Sequence, residues 1–293
     1  MTSVIRQKSP SVRAKKIAFT STKYFFLVLF SIFFLFPIYA LVINSFMPDS
    51  QFQGVKSLWP TTFYFGAYLE IFTAAYVKYF FNTILVCVLN VGGVCFGSAL
   101  TAYALAKLDF FGKNVLFACI MGIVLLPSTV LSIPLLIIYK NWFNWGGTLY
   151  PLWVPMWLGG GTMNIFLVRQ FMRGIPNSYN EAASLDGATS FQIFWMIVLP
   201  LVKPILIYLA VTGFIGNWND FQGPLMYVAD AENNWTLSLA LYYEYGINSG
   251  AADKNLPNSQ MAVGVMMMIP CIVLFGFFQK QIMEGISAVG VKG

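Results

Sequence analysis

Six predominantly apolar runs, residues 24–44, 79–106, 115–139, 149–168, 201–216 and 261–278, divide this chain. A helix needs about 20 apolar residues to cross the hydrocarbon of a bilayer. With no water there, every backbone N–H and C=O must be paired within the segment, which admits only helices and closed barrels. The pattern predicts an all-α membrane protein with six transmembrane helices. Composition agrees: 58% of residues are hydrophobic and 10% charged, whereas a soluble domain carries about a quarter charged residues. No stretch is left over for a second, water-soluble domain.

Charge sets the orientation. Residues 1–23 carry Arg6, Lys8, Arg13, Lys15, Lys16 and Lys23 without an acid and are expected to be an unstructured cytoplasmic tail. A signal peptide is the competing reading, but the first apolar run lacks a small-x-small cleavage site. With six spans, Lys107, Lys113, Arg169, Arg173, Lys203, Lys280 and Lys292 join that tail inside, while Lys56, Lys78, Lys140 and Lys254 fall outside. This is the positive-inside asymmetry, with both termini cytoplasmic. The net charge of +6 is thereby explained without a nucleic-acid partner, since the basic residues are dispersed around span ends. The expected organisation is a basic tail (1–23), a first helix with an external segment (24–78), a membrane core (79–280) and a cytoplasmic tail (281–293).

Within the core, the second span is rich in small residues (Gly92, Gly93, Gly97, Ser98, Ala99) that permit close backbone approach. The fourth has a soft centre at Gly159-Gly160-Gly161. Six helices of one chain are expected not to supply all the neighbours these faces ask for. The third span contains Pro127-Ser128-Thr129 and Pro134, read either as a pathway-lining break or as a packing kink. Cys87, Cys95, Cys119 and Cys271 lie in apolar runs without CxxC spacing and read as free thiols. The chain has no histidine, which excludes the zinc-protease motif, a Ser-His-Asp triad and His-ligated haem. No GxxxxGK[ST] occurs, so the chain is not expected to cradle ATP phosphates, and it is read as a non-enzyme.

The polar loop of about 174–200 is the longest connection on the basic side. Ser178 and Glu181 are spaced as a capping box that would start a helix. Gly187 can enter the left-handed region and end it, after which Thr189 or Ser190 can cap a second helix reaching Leu199-Pro200. Ala182, Ala183 and Leu185 then form a narrow apolar patch suited to a shallow groove on a partner. An amphipathic loop lying on the membrane surface is the alternative.

The spacing Glu181-Ala182-Ala183, Gly187, Ile197-x-Leu199-Pro200 resembles the signature cytoplasmic loop of the membrane subunits of binding-protein-dependent ABC importers. Ala102 to Phe110, Trp218-Asn219-Asp220-Phe221 and the closing Phe278-Gln279-Lys280 through Gly293 look like the carbohydrate type, in particular the smaller permease subunit of maltose importers. The resemblance implies the type I importer permease fold and a coupling helix that docks on an ATPase subunit through Glu181, Ala182, Ala183, Leu185, Asp186, Gly187, Ile197, Leu199 and Pro200. It further implies two ATPase subunits that bind ATP and Mg, a second, non-identical permease, an extracytoplasmic sugar-binding protein, and a tail (Gly290, Lys292, Gly293) reaching between the ATPase subunits. Val289 departs from the family's alanine there.

For the solute path the sequence offers polar residues at membrane depth: Asn90, Ser128, Thr129, Thr162, Asn164 and Thr212. Asn219 joins them at the outer corner. Hydroxyls and amides without a buried charge suit a neutral sugar; each is also explained as an interhelical hydrogen bond. Trp218-Asn219-Asp220 reads as an external mouth or as a helix cap beside a belt tryptophan. The loop from Tyr242 to Pro257 is longer than the usual form and is a binding-protein contact by resemblance. The rival functions are an ion channel or an ATP-independent secondary transporter, against which no inverted repeat of broken helices is visible, and a membrane enzyme, for which intramembrane carboxylates are lacking.

Overall fold

The computed structural model describes residues 10–48, 51, 58–71, 74–243 and 257–290, and all regular structure among them is helical. The chain divides into two units, one of residues 1–71 with 256–265, the other of 72–255 with 266–293.

The first unit holds α1 (Pro10–Ser45), α2 (Gly66–Ile71) and the opening turns of α14 (Pro257–Gly290). The basic segment, expected without structure to residue 23, is helical from Pro10. Proline is tolerated at a helix start, where its missing N–H would be unpaired anyway, and the Arg, Ala and Lys residues that follow are good helix formers. The helix passes through Pro37. None of its most apolar stretch is buried, as suits a helix facing lipid. Towards its end it is anchored: the Tyr39 hydroxyl donates to the Leu58 carbonyl at 2.7 Å, and buried Ser45 shares a 2.6 Å hydrogen bond with the Tyr68 hydroxyl.

The second unit is built on α3 (Ala74–Lys107), against which α6 (Tyr150–Trp157), α7 (Thr162–Arg173) and α11 (Lys203–Trp218) pack. Glycines set the approach. A Cβ at Gly93 would stand 2.9 Å from the Trp157 backbone nitrogen, and one at Gly97 2.6 Å from the Met156 carbonyl. A Cβ at Gly160 would stand 2.1 Å from the Ser98 nitrogen. Gly92, Gly93, Gly97 and Gly160 thus find close neighbours within the chain, whereas a Cβ at Gly159 would meet nothing within 4 Å. The fourth expected span is not one helix: Gly160 and Gly161, with φ of 81° and 86°, part α6 from α7.

The third expected span is α4 (Lys113–Val124) and α5 (Ser128–Ile137), the latter extended by a π turn over Ile138–Trp142. They meet at 102° around Leu125–Pro127. α11 meets the segment Ser190–Leu201 at 73°. By length and composition α1, α3 and α14 can each cross a membrane alone, and these two bent pairs can do so as pairs. On the far side of α11 the chain forms α12 (Gln222–Val228), a 3-10 turn (Glu232–Asn234) and α13 (Leu237–Leu241). The principal core joins Ala99, Ala102 and Tyr103 of α3 to Val168 and Met172 of α7 and to Val202, Ile205 and Leu209 at the start of α11.

Candidate functional site

Between α7 and α11 the chain forms a helix, a glycine break and a second helix. α8 (Ser178–Leu185) ends at Gly187, whose φ of 83° is the left-handed conformation expected of it. Around the turn, the Ala188 N–H donates to the Ala183 carbonyl at 3.0 Å. α9 (Ser190–Ile193) follows, continued by a π turn (Phe194–Val198) and α10 (Leu199–Leu201). Thr189 caps α9 with a full capping box: its hydroxyl accepts from the Gln192 N–H, and the Gln192 side chain accepts from the Thr189 N–H at 2.7 Å.

The start of α8 departs from the sequence reading. Its cap residue is Asn177, in helical conformation, with no side-chain cap bond, so Ser178 and Glu181 do not form a capping box. The reason is non-local, because Lys107 donates to the Asn177 side-chain oxygen at 2.9 Å and to the Ile175 carbonyl at 2.7 Å. One turn earlier on α3, the Tyr103 hydroxyl donates to the Ser190 carbonyl at 3.0 Å, and its ring lies against Phe194. The inner end of α3 therefore grips the entry of both short helices. Sequence reasoning gave Tyr103 no role and Lys107 only that of an inside cation, although both stand in the Ala102–Phe110 stretch.

The expected apolar patch is also rearranged. Ala183 is buried and joins the principal core with Ile193, Phe194 and Val198. Ile197 and Leu199 pack against that cluster, and Pro200 is exposed. Glu181, Ala182, Asp186 and Gly187 face outward, and Leu185 is 89% exposed. Helical spacing adds Tyr179, 53% exposed, to the Ala182–Leu185 face. Ala183, Ile197 and Leu199 of the motif thus root the element while the other six residues are presented.

The candidate path residues are not brought together. Asn90 is buried, donating to the Leu152 carbonyl at 2.7 Å and accepting from Asn217 at 3.0 Å, which makes it a pin between α3, α6 and α11. Asn164 donates to the Gly160 carbonyl and braces the α6–α7 break. Thr212 donates back within α11, to Tyr208. Asn219 is exposed and donates to the Ile215 carbonyl. Ser128 and Thr129 are exposed at the α4–α5 bend.

At the Trp218–Asp220 corner the capping half of the structural reading is seen and the belt half is not. Trp218 is buried, stacks on Phe214 and donates to the Met267 carbonyl at 2.9 Å, so it is no belt residue. Asp220 accepts from the Gly223 N–H at the start of α12. Burial pushes its carboxyl above the ordinary range, against the N–H groups of Gly223 and Gln222, which favour the charged form. Gly290 ends α14, whereas Lys292, Gly293 and residues 244–256 of the long loop lie outside the described residues.

Known proteins share this arrangement. The arabinooligosaccharides transport system permease protein AraQ of Bacillus subtilis is 29% identical over 97% of this chain and 99% of its own. The AraQ of Halalkalibacterium halodurans is 30% identical over 88% of this chain and 91% of its own, and the maltodextrin transport system permease protein MalD of Streptococcus pneumoniae 25% over 97% and 99%. Among solved structures, a chain of a bacterial ABC transporter involved in the import of the acidic polysaccharide alginate superposes with a TM-score of 0.79, covering 94% of this chain and 98% of that one at 23% identity. That likeness carries the fold. Residues 93–287 match the model of the binding-protein-dependent transport system inner membrane component, and those residues include α8, Gly187 and α9 with the whole of the core that roots them. This multi-pass plasma-membrane chain belongs to that family, as the permease of a binding-protein-dependent importer.

Proposed function

We propose that this chain is one of two non-identical permease subunits of an ATP-driven importer of sugars or oligosaccharides, and that α8 is its coupling helix. The observation that carries the reading is the division of the α8–α9 element. Ala183, Ile193 and Phe194 fix it to the core, while Ala182, Leu185 and Tyr179 are offered to a groove on a partner. A push on that face is transmitted to α3 and α7 through packed side chains rather than absorbed in a loop. The ATP and Mg belong to two ATPase subunits beneath, since this sequence has no phosphate-cradling GxxxxGK[ST]. A solute-binding protein delivers from outside.

The carbohydrate assignment draws on the relatives named above, the permease proteins of arabinooligosaccharide and maltodextrin transport systems. The paired permease rests on the family resemblance, because most of these glycines, Gly159 excepted, find their neighbours within this chain. Orientation follows the positive-inside asymmetry, with both termini and α8 cytoplasmic.

The test is Gly187→Pro and Glu181→Lys in the assembled importer. Proline is locked near φ −65° and cannot take the 83° of Gly187, so α8 is re-aimed while no span is touched. ATP-driven sugar uptake is expected to be lost with membrane insertion intact; normal uptake in both variants would overturn the coupling assignment. In a background without Cys119, the exposed native thiol, a cysteine at Ser184 should react with an impermeant reagent only from inside, and one at Asn233 only from outside.

A further inference from the structure

Beside the entry to α8 lies a cavity of about 390 Å³ into which Lys107, Lys113, Arg169 and Arg173 all project, with Asn114 and Asn177. One carboxylate answers them: Asp109, itself fully exposed, pairs with Lys113 at 3.2 Å. Among the described residues Lys107, Arg169 and Arg173 have no acidic partner. Arg169 is held rigidly, with 7% of its surface exposed, Nε donating to the Leu105 carbonyl at 3.2 Å and the guanidinium 3.7 Å from the Phe117 ring centroid. Gathering like charges around one space costs repulsion, which an anion in the cavity removes.

A second cavity, of about 470 Å³, shares Lys113 and Asn114 with the first; Asp109, the carboxylate paired with Lys113, and Gly112 line it too, and the rest of its wall is apolar: Phe110, Phe111 and Val115. Phe111 is wholly exposed and Val115 is 68% exposed. From there α4 continues with no buried residue along its length, so the apolar wall leads onto a helix surface made for lipid. A small free anion has use only for the cationic chamber. A phosphodiester carrying acyl chains fits both, with its phosphate among the cations and its chains along Phe111, Val115 and the outer face of α4.

We propose that these joined cavities bind an anionic phospholipid. Binding itself does not depend on the importer reading. Only the leaflet, the cytoplasmic one, rests on the orientation given above.

The test is native mass spectrometry of the full chain, delipidated in detergent, titrated with phosphatidylglycerol, with phosphatidylcholine of the same acyl chains, and with inorganic phosphate. Phosphatidylglycerol is expected to bind in preference to both. Arg173→Gln and Asn114→Asp alter exposed side chains, one removing a cation and one adding an anion. Each should weaken phosphatidylglycerol by about fivefold, and Phe111→Ser should weaken it without changing any response to phosphate. Lys140→Gln, at a distant exposed cation, should leave it unchanged. Equal binding of the two lipids, or equal losses in Lys140→Gln and Arg173→Gln, would overturn the site. Phosphate binding as tight as phosphatidylglycerol would overturn the lipid assignment in favour of a small-anion site.

Discussion

The Tyr103 hydroxyl donates to the Ser190 carbonyl across 3.0 Å, joining two residues 87 positions apart in the chain at the point where a membrane helix meets a surface one. Lys107, a turn further along α3, does the same for α8 through Ile175 and Asn177. The α8–α9 element is thus oriented by α3 and not by its own loops.

Tyr103→Phe keeps the ring contact with Phe194 and deletes one hydrogen bond, a net loss of about 1 kcal/mol, equivalent to roughly fivefold in a local opening equilibrium. Amide exchange over residues 190–198 is expected to quicken by that factor, with residues 175–178 unchanged. Lys107→Met should produce the opposite distribution. Exchange that rises equally in both stretches for either variant would show that α3 does not grip the two helices separately.

Gly187 and Gly160 share a left-handed φ, 83° and 81°, but not their surroundings: an added Cβ at Gly187 meets nothing within 4 Å, whereas one at Gly160 strikes the Ser98 backbone. Gly187→Ala is therefore expected to cost only the left-handed penalty, about 1–2 kcal/mol. Gly160→Ala adds overpacking against α3, for about 3 kcal/mol or more in all. Thermal unfolding in detergent gives the ranking. If the two variants melt together, the close approach of α3 to the α6–α7 break is wrong.

What the sequence made legible were the features fixed by neighbours in the chain. The apolar runs specify helices, Gly187 specifies a left-handed stop, and Thr189 or Ser190 offers a cap, of which the structure takes Thr189. The start of α8 was misread because Asn177 is engaged by Lys107, 70 residues away, and local spacing carries no trace of that. Ala183 was placed on the outer patch because a helix of eight residues has too few turns to mark which face the core will claim. The glycines marked a soft centre in the fourth span, not the break that the structure has there. They could not say that α3 of the same chain would fill the space beside it.

Asn90 illustrates the same limit at membrane depth and yields a prediction that separates solute path from scaffold. Its amide spends a donor on Leu152 and its carbonyl on Asn217, so it has both a packing partner in α6 and one in α11, and little left for a sugar. Asn90→Leu fills the same volume but leaves the Leu152 carbonyl without its donor, at a cost of about 1–2 kcal/mol. Its melting point should fall while the order of preference among sugars taken up by the assembled importer is unchanged. Thr129 is the reverse case: it is exposed at the 102° bend between α4 and α5, where irregular backbone is tolerated only against protein or a water-filled cavity. Thr129→Val should leave melting unchanged and lower uptake of the preferred sugar. An unaltered sugar profile in Thr129→Val, together with an altered one in Asn90→Leu, would move the path from the α4–α5 bend to the junction of α3, α6 and α11.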